Sequence, residues 1–353
     1  MPGPLAGLRV VEFAAIGPAP FGAMLLSDLG AEVLRIDRAD ATWPQMPIVS
    51  RGRSGVTLDL KSDAGRAQAM AAIVAADIVI EGLRPGVMER LGLGPDTVCA
   101  RNERLIYARM TGWGQDGPRA QSAGHDINYI GLTGLLAMLN PAGEAPRPPL
   151  NLLGDYAAGS LYLVIGILAA LVERASSGKG QVVDAAIVDG SVSLMAPILG
   201  MIAGGFMPSD PSKGILAGNA PYYRSYLCAD GLAIAVGPLE PQFRRALTEA
   251  MGLAPDALNG DPIAAADMLA AQFEGKPRDY WLEKLDPVDA CATPVHGWQE
   301  ARSDPHLIAR GVFNGDGPVP DTAVAPRFSR TPGAAQPSGD GAALLDRWIG
   351  SSR

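Results

Sequence analysis

Apolar and polar positions follow two alternating periods along the first third of the chain. The segments GLRVVEF and AEVLRID are rich in β-branched residues, as buried strands are, and PFGAMLLSDLG between them has helical spacing and ends at Gly30. Strands are predicted again in DIVIEG and LIYARMTG, and helices in DAGRAQAMAAIVAA and GVMERLG. This repeated order of strand and helix predicts an α/β fold with a parallel sheet covered by helices.

The segments that follow the predicted strands are rich in glycine, proline and charge. Ligands of parallel α/β sheets bind beyond the carboxyl ends of the strands, so these segments are candidates for a binding site. Four basic residues lie in or near them, namely Arg38, Lys61, Arg84 and Arg90. Because arginine can bind phosphate oxygens through two hydrogen bonds, the group suggests a pocket for a phosphorylated ligand.

Beyond the first predicted strands and helices, the composition of the chain changes. The apolar run at 156–172 stops just short of spanning a membrane and predicts a buried core helix. A stretch rich in Gly, Pro, Met and Ser then predicts a linker, and two strands around the turn ADG begin a second unit. The predicted organisation is a large α/β domain at 1–196, a linker at 197–220, a small α+β domain at 221–300, and at 301–353 a linker and C-terminal return to the large domain.

Composition narrows the class of protein. The chain has 353 residues, 48% of them hydrophobic, which is enough for a substantial core. A net charge of -8 argues against non-specific binding of nucleic acid. The three cysteines are scattered without metal-site spacing, and no signal peptide is visible, so a cytoplasmic protein without a metal site or membrane span is expected.

Dinucleotide binding is the first alternative that the pattern raises. Asp37 ends the second predicted strand twenty residues after Gly17, where an acid that binds ribose would fall. However, GPAPFG places proline and alanine where GxGxxG needs glycine, and SGKGQ lacks the leading glycine of a phosphate-binding loop. Neither nucleotide-binding motif is present.

Two further segments carry candidate chemistry. GHDINY contains His125, one of only three histidines, and NLLGDYAAGS contains Asp155. Taken singly, a histidine in an apolar setting is more often a core residue, and an aspartate after glycine is more often a helix cap.

The two segments occur in a series of longer motifs that covers nearly the whole chain in order. The series includes PLAGLRVVEFAAIGPAPFGAMLLSDLGAEVLRIDR, DIVIEGLRPGVMERLGLGPD, AGHDINYIGLTG, PPLNLLGDYAAGS and SGKGQVVDAAIVDGSV. Together these motifs resemble the class III CoA-transferase superfamily and, within it, the α-methylacyl-CoA racemases. The resemblance implies a Rossmann-like large domain, a smaller α+β domain and an interlocked homodimer.

The resemblance also implies a pair of catalytic groups. In the racemases, the aspartate of GD acts together with the histidine of GHDINY, which correspond to Asp155 and His125 here. Inverting the carbon beside a thioester carbonyl needs one group to remove a proton from one face and another to deliver a proton to the opposite face. Because an aspartate has an ordinary pKa near ~3.9, Asp155 would need a raised pKa to serve as the acid. Backbone N–H groups at the start of its helix are expected to hold the enolate oxygen.

Further roles follow from the resemblance alone. Asp126 and Asn151 would orient the catalytic pair, and Glu240 would reach the site from the small domain of a partner subunit. The expected contacts of the CoA moiety are Arg38, Leu58, Asp59, Leu60, Lys61, Gly82, Leu83, Arg84, Arg90, Gly124, His125, Asp126, Ile127, Asn128 and Tyr129. The substrate would be a 2-methylacyl-CoA thioester of fatty acid and lipid metabolism. No cofactor is expected beyond the coenzyme A that the substrate carries.

Three alternatives stay open on the sequence. In a CoA-transferase, Asp155 would attack the thioester and form a mixed anhydride. A non-catalytic protein would bind CoA esters without exchanging their protons. A nicotinamide dehydrogenase would need the glycine loop that this chain lacks.

Overall fold

The computed structural model describes residues 3–39, 46–141 and 143–350 of the chain. Up to residue 138 its elements are β1 (Arg9–Phe13), α1 (Pro18–Asp28), β2 (Glu32–Asp37), α2 (Pro47–Ser50), β3 (Arg53–Thr57), α3 (Asp63–Val74), β4 (Ile78–Glu81), α4 (Val87–Arg90), α5 (Pro95–Cys99), β5 (Ile106–Thr111), α6 (Asp126–Thr133) and α7 (Leu135–Met138). These are followed by a π-helix (Leu152–Ser160), α8 (Leu161–Ser177), β6 (Val182–Ala186) and α9 (Ile187–Ala203).

The first six strands form one parallel sheet in the order β3-β2-β1-β4-β5-β6. Every neighbouring pair is parallel, with Val11 of β1 opposite both Leu34 of β2 and Val79 of β4. The predicted parallel α/β sheet is therefore confirmed. The chain order reverses between β1 and β4, which creates a crevice at their carboxyl ends.

Apolar side chains fill both faces of this sheet. On one face, Leu26 of α1 and Leu163 and Ile167 of α8 are fully buried against the strands. On the other face, Ile73 of α3 belongs to a second cluster of buried residues. Parallel sheets are stable when both faces are covered in this way, which explains the continuous apolar runs in the sequence.

The sequence gives little sign of β3, which the periodicity does not predict. Only Val56 in this strand is strongly apolar, and Arg53 is 4% exposed. Arg53 is buried because its guanidinium group pairs with the carboxylate of Glu12 on β1, through Nε–Oε2 and Nη2–Oε1 distances of 2.7 and 2.6 Å. A pattern of apolar residues cannot reveal a strand whose buried side chain is charged.

The predicted core helix begins with the π-helix and continues as α8. Leu163 and Ile167 are fully buried, whereas Ile165 and Val172 on the same helix are 57% and 74% exposed. The prediction is thus right for one face of the helix only. In length and apolar character this run, Leu152–Ser177, is the one among the described residues that could cross a membrane, which is weak evidence because core helices pass the same test.

A second compact unit comprises the described parts of residues 137–146 and 196–310. Its elements are β7 (Arg224–Leu227), β8 (Ala233–Val236), α10 (Pro241–Met251), α11 (Pro262–Glu274), α12 (Arg278–Leu285), β9 (Ala292–Val295), α13 (Trp298–Ala301) and α14 (Pro305–Arg310), with short 3₁₀ turns at Pro211–Lys213 and Ile215–Ala217. The three strands are antiparallel, in the order β7-β8-β9. Phe273 and Trp281 pack edge to face in its core.

The first unit comprises the rest of the described chain, including the segment after residue 310. That segment contains β10 (Phe313–Asn314), β11 (Asp321–Thr322) and α15 (Gly341–Gly350), and Trp348 of α15 is 1% exposed in the core beside α3. The structure differs from the predicted linker at 197–220, since α9 continues through Pro197 to Ala203. Apolar residues continue at helical spacing beyond that proline. The limits of independently folding domains stay a prediction.

Candidate active site

A cavity of about 680 Å³ lies at the carboxyl ends of β1, β4 and β5. Loops after these three strands line it together with the start of α6 and the π-helix, so it occupies the crevice where the strand order reverses. The predicted site residues that line the cavity are Gly82, Leu83, Arg84, Gly124, His125, Tyr129, Asn151 and Asp155. The fold therefore brings the two candidate catalytic residues to one cavity, although thirty positions separate them in sequence.

Asp155 lies inside the π-helix and is partly buried. The wider turn of a π-helix is often found at functional sites. Nδ2 of Asn151 donates a hydrogen bond to Oδ2 of Asp155 at 3.0 Å. Burial raises the pKa of the Asp155 carboxyl group, and the opposing effects of the Asn151 hydrogen bond and of the His125 charge are smaller. The direction of this pKa shift is the one that an acid catalyst requires.

Gly17 leaves space for the Asp155 carboxyl group. This glycine follows β1 with a φ of 70° and a ψ of -118°, a conformation that residues with a Cβ rarely adopt. A Cβ atom at this position would lie 3.1 Å from Oδ2 of Asp155. The loop after β1 therefore needs glycine here both for its backbone and for the approach of the carboxyl group.

Asp126, the first residue of α6, supports the π-helix. Its side chain is buried, and Oδ1 accepts a hydrogen bond from the backbone N–H of Asp155 at 2.7 Å. Burial raises the pKa of Asp126, while hydrogen bonds from the N–H groups of Asp155 and Gly154 oppose that rise. Asp126 and Asn151 thus both contact Asp155, as orienting residues would, and their role in catalysis stays a prediction.

The expectation that backbone N–H groups at the start of this helix hold the enolate oxygen meets one constraint. The N–H of Asp155 already donates to the carboxylate of Asp126, so this group is not available to an oxygen of the substrate. For the other N–H groups at the start of the helix, the expectation stays a prediction.

His125 precedes α6, and its side chain is exposed at the cavity. Its backbone N–H donates to Oδ1 of Asn128 at 3.0 Å, which fixes the start of the helix. The Tyr129 hydroxyl donates to the carbonyl oxygen of Gly124, and its ring packs edge to face on Trp113 with ring centres 4.7 Å apart. The backbone on both sides of His125 is thereby held while the imidazole stays accessible.

The loop at 82–85 follows β4 and contains three of the predicted CoA contacts that line the cavity, Gly82, Leu83 and Arg84. The Arg84 side chain is exposed, so it is accessible to the phosphate groups of a ligand that arrives from solution. Arg90, at the end of α4, is also exposed but does not line the cavity. The structure thus places Arg84 at the cavity and Arg90 on the same segment of chain.

The predicted CoA contacts after β2 and β3 do not line this cavity. Leu58 is 5% exposed and packs in the core, so its side chain is unavailable to a ligand. Oδ1 of Asp59 accepts the N–H of Lys61 at 3.0 Å, which closes the turn between β3 and α3. The predicted CoA contacts outside the cavity lining in this part of the chain are Arg38, Leu58, Asp59, Leu60 and Lys61. Their contact with CoA stays a prediction.

Three other predicted residues lie apart from the cavity lining or in the other unit. Ile127 and Asn128 belong to α6 and are exposed. Glu240 immediately precedes α10 in the second unit. Among the described residues, no group of three or more His, Cys, Asp or Glu side chains is placed to hold a metal ion.

Several lining residues were not identified as site residues from the sequence. They include Trp113, Tyr156 and Ile187, in addition to Gly17. Tyr156 packs edge to face on Phe21 of α1, with ring centres 5.1 Å apart. Met110 lines the cavity as well. The glycine-rich loops after β1 and β5 were the available signal, since backbone that approaches a ligand closely favours glycine.

Comparison with known proteins points in one direction. CoA-transferase family III matches residues 5–339. The α-methylacyl-CoA racemase of Mus musculus is 41% identical over 335 residues, covering 93% of this chain and 87% of that protein. The α-methylacyl-CoA racemase of Homo sapiens is 39% identical over 314 residues, covering 88% and 82%. The crystal structure of a CAIB/BAIF family protein from Brucella suis superposes with a TM-score of 0.84 at 26% identity, covering 99% of this chain and all of that chain.

Proposed function

Because the chain belongs to CoA-transferase family III, we propose that it interconverts the 2R and 2S epimers of 2-methylacyl-CoA thioesters. Two relatives named α-methylacyl-CoA racemase, at 41% and 39% identity over most of both lengths, support this choice within the family. The observation that carries the proposal is that His125 and Asp155 line one cavity, while burial raises the pKa of Asp155.

The mechanism moves one proton onto and one proton off the carbon beside the thioester carbonyl. In one direction, neutral His125 removes the α proton and the resulting enolate takes a proton from Asp155 on the opposite face. The reaction leaves a charged imidazolium and a carboxylate, which perform the reverse reaction on the other epimer. Two different groups are needed, because a single base would return the proton to the face from which it came.

The raised pKa of Asp155 has a definite consequence for this cycle. A carboxyl group with a raised pKa stays protonated to a higher pH than a free aspartate does, so more of the enzyme carries the acid at neutral pH. The Asn151 hydrogen bond and the His125 charge act in the other direction and stabilise the carboxylate. A group that must both give and accept a proton benefits from this balance.

The CoA moiety would extend from the cavity along the loop at 82–85 toward Arg90. Arg84 would bind its phosphate oxygens from the cavity edge, and the remaining predicted contacts would lie farther along the nucleotide. We further propose a homodimer in which Glu240 of one chain approaches the catalytic pair of the other. This part of the proposal rests on the family resemblance.

A single assay tests the reaction. Enantiopure (2S)-2-methylacyl-CoA should lose its optical purity in the presence of the protein and reach a mixture of both epimers. Chiral chromatography of the acids, released by hydrolysis of the thioesters, would measure the ratio of the two epimers. Retention of optical purity with esters of several chain lengths would contradict the proposal.

The second candidate function is CoA transfer, which the family name itself suggests. There, the Asp155 carboxylate would attack the thioester carbon, expel CoA as its thiolate and form a mixed anhydride. This role needs Asp155 in its ionised form, since only the carboxylate is nucleophilic. Adding a free labelled acid to the same assay separates the two functions. Label in the acyl-CoA pool without epimerisation would establish transfer.

A further inference from the structure

Arg109 is a buried cation in β5, the strand next to the edge strand β6 of the parallel sheet. It lies opposite Glu81 of β4, and only 7% of the residue is exposed. Its Nε donates to Oε1 of Glu81 at 3.0 Å, and its Nη1 donates to Oε1 of Glu89 at 2.8 Å. One guanidinium group therefore joins the last residue of β4 to a residue of α4.

Glu81 passes this connection to the loop that follows it. Its side chain is fully buried, and its second oxygen, Oε2, accepts the backbone N–H of Leu83 at 2.8 Å. A buried carboxylate that binds an arginine with one oxygen and a backbone amide with the other is held in a single orientation. The position of Leu83 is thus tied to β5 through two hydrogen bonds.

Glu89 makes the corresponding connection at the other end of the segment at 82–90. Its carboxylate accepts from Nη1 and Nη2 of Arg109, at 2.8 and 3.3 Å. Between these two anchors, Nε2 of Gln121 donates to the carbonyl oxygen of Pro85 at 3.1 Å. Arg84 and Arg90 both lie on the segment, and neither side chain is buried.

The buried ion pair of Arg109 with Glu81 adds little net stability, because removing both charges from water costs about as much free energy as their attraction returns. Its clearer effect is on geometry. We propose that Arg109 is a positioning residue, which sets the segment at 82–90 so that Arg84 and Arg90 meet the phosphate groups of the CoA ester. This inference rests on the proposed function only in taking a CoA thioester as the ligand.

The test compares two ligands that differ in the nucleotide. Isobutyryl-CoA carries the phosphates, whereas isobutyryl-pantetheine has the same acyl and thioester groups without them. Arg109→Met should raise the Kd of isobutyryl-CoA about tenfold, the effect of roughly one misplaced charge-assisted hydrogen bond, and change the Kd of isobutyryl-pantetheine less than about twofold. Titration calorimetry or competition binding measures both values.

A second variant keeps the test independent of folding. Glu89 has a 44% exposed side chain, so Glu89→Gln removes a charge at the surface without opening the core. It should raise the Kd of isobutyryl-CoA in the same direction, by about threefold, because one of the two anchors is weakened. A variant of Arg109 that does not fold would leave this comparison intact.

The matched control is Arg51→Met. Arg51 is also 7% exposed and also pairs with two carboxylates, those of Asp28 and Asp321. Its further side-chain hydrogen bonds go to Thr322, which lies outside the segment at 82–90. Its loss should leave the ratio of the two Kd values unchanged. If Arg109→Met and Glu89→Gln raise both Kd values equally, or leave both unchanged, the inference is wrong. If the wild type binds isobutyryl-CoA and the variants shift its Kd as expected, but the protein does not epimerise 2-methylacyl-CoA, only the proposed reaction is contradicted.

Discussion

The space around the Asp155 carboxyl group depends on a single hydrogen atom at Gly17. The backbone there has a φ of 70°, and a Cβ would lie 3.1 Å from Oδ2 of Asp155. We expect Gly17→Ala to lower kcat by roughly ten- to a hundredfold, as displaced catalytic groups do. Steady-state kinetics with purified variants would measure the effect.

The control for Gly17 is Gly7→Ala. Gly7 has a φ of 85°, but a Cβ there would meet no atom within 4 Å. Alanine should therefore reduce the free energy of unfolding by about 1–2 kcal/mol, the cost of a left-handed conformation, with kcat unchanged. Equal kcat values for Gly17→Ala and the wild type would show that the space beside Asp155 is not needed.

Individual site residues could be predicted from the sequence only where they stand in a motif. His125 and Asp155 were identified in this way, and the structure places both at one cavity. The loop around Gly17 suggests only nucleotide binding, because no local pattern shows that the carboxyl group of a distant helix will approach this glycine. The same reason explains why Trp113 was missed.

At the scale of elements, the segment at 82–90 contains two arginines, Arg84 and Arg90, which lie at different distances along the chain from the cavity. Arg84 lines the cavity, whereas Arg90 does not. We expect Arg84→Ala and Arg90→Ala to raise the Kd of CoA esters by roughly ten- to a hundredfold each, with a smaller effect on kcat. Equilibrium binding and kinetics together would separate the two effects.

Arg101 offers a control for these two variants. It is exposed in the same unit and does not line the active-site cavity. Arg101→Ala should leave the Kd unchanged. Unaltered affinity in both Arg84→Ala and Arg90→Ala would remove these arginines from the binding site.

Periodicity predicted the apolar elements well and the charged ones poorly. β1, β2, β4 and β5 are nearly all buried and were predicted close to their observed bounds. β3 was missed because its buried Arg53 pairs with Glu12, and such a partner cannot be found from local sequence. The π-helix around Asp155 was also beyond prediction, since its sequence has the same apolar spacing as an ordinary helix start.

At the scale of the whole molecule, the described chain divides into two compact units, and Glu240 lies in the unit that does not contain His125 and Asp155. The proposed homodimer makes a clear prediction about mixed subunits. His125→Ala and Glu240→Ala homodimers should each be inactive. When mixed subunits exchange, one site of each heterodimer would combine two intact halves, and about a quarter of all sites would be restored.

To test this arrangement, the epimerase activity of the mixture is compared with the activity of each variant alone. Sedimentation at low protein concentration would check that the dimer persists. A monomeric mass with full activity would rule out both the dimer and the shared site. The sequence could suggest this arrangement only by resemblance, because the pattern within one chain carries little information about contacts between two chains.

The central claim, that His125 and Asp155 act on opposite faces of the α carbon, is tested most directly in deuterated water. NMR would follow deuterium entry at the α carbon of each pure epimer. We expect the wild type to label each epimer as it is converted to the other, and His125→Ala and Asp155→Asn to lose epimerisation by about 10²–10⁴-fold. Each variant should retain exchange with one epimer only, and that epimer should differ between the two. Epimerisation near the wild-type rate in both variants would contradict the claim.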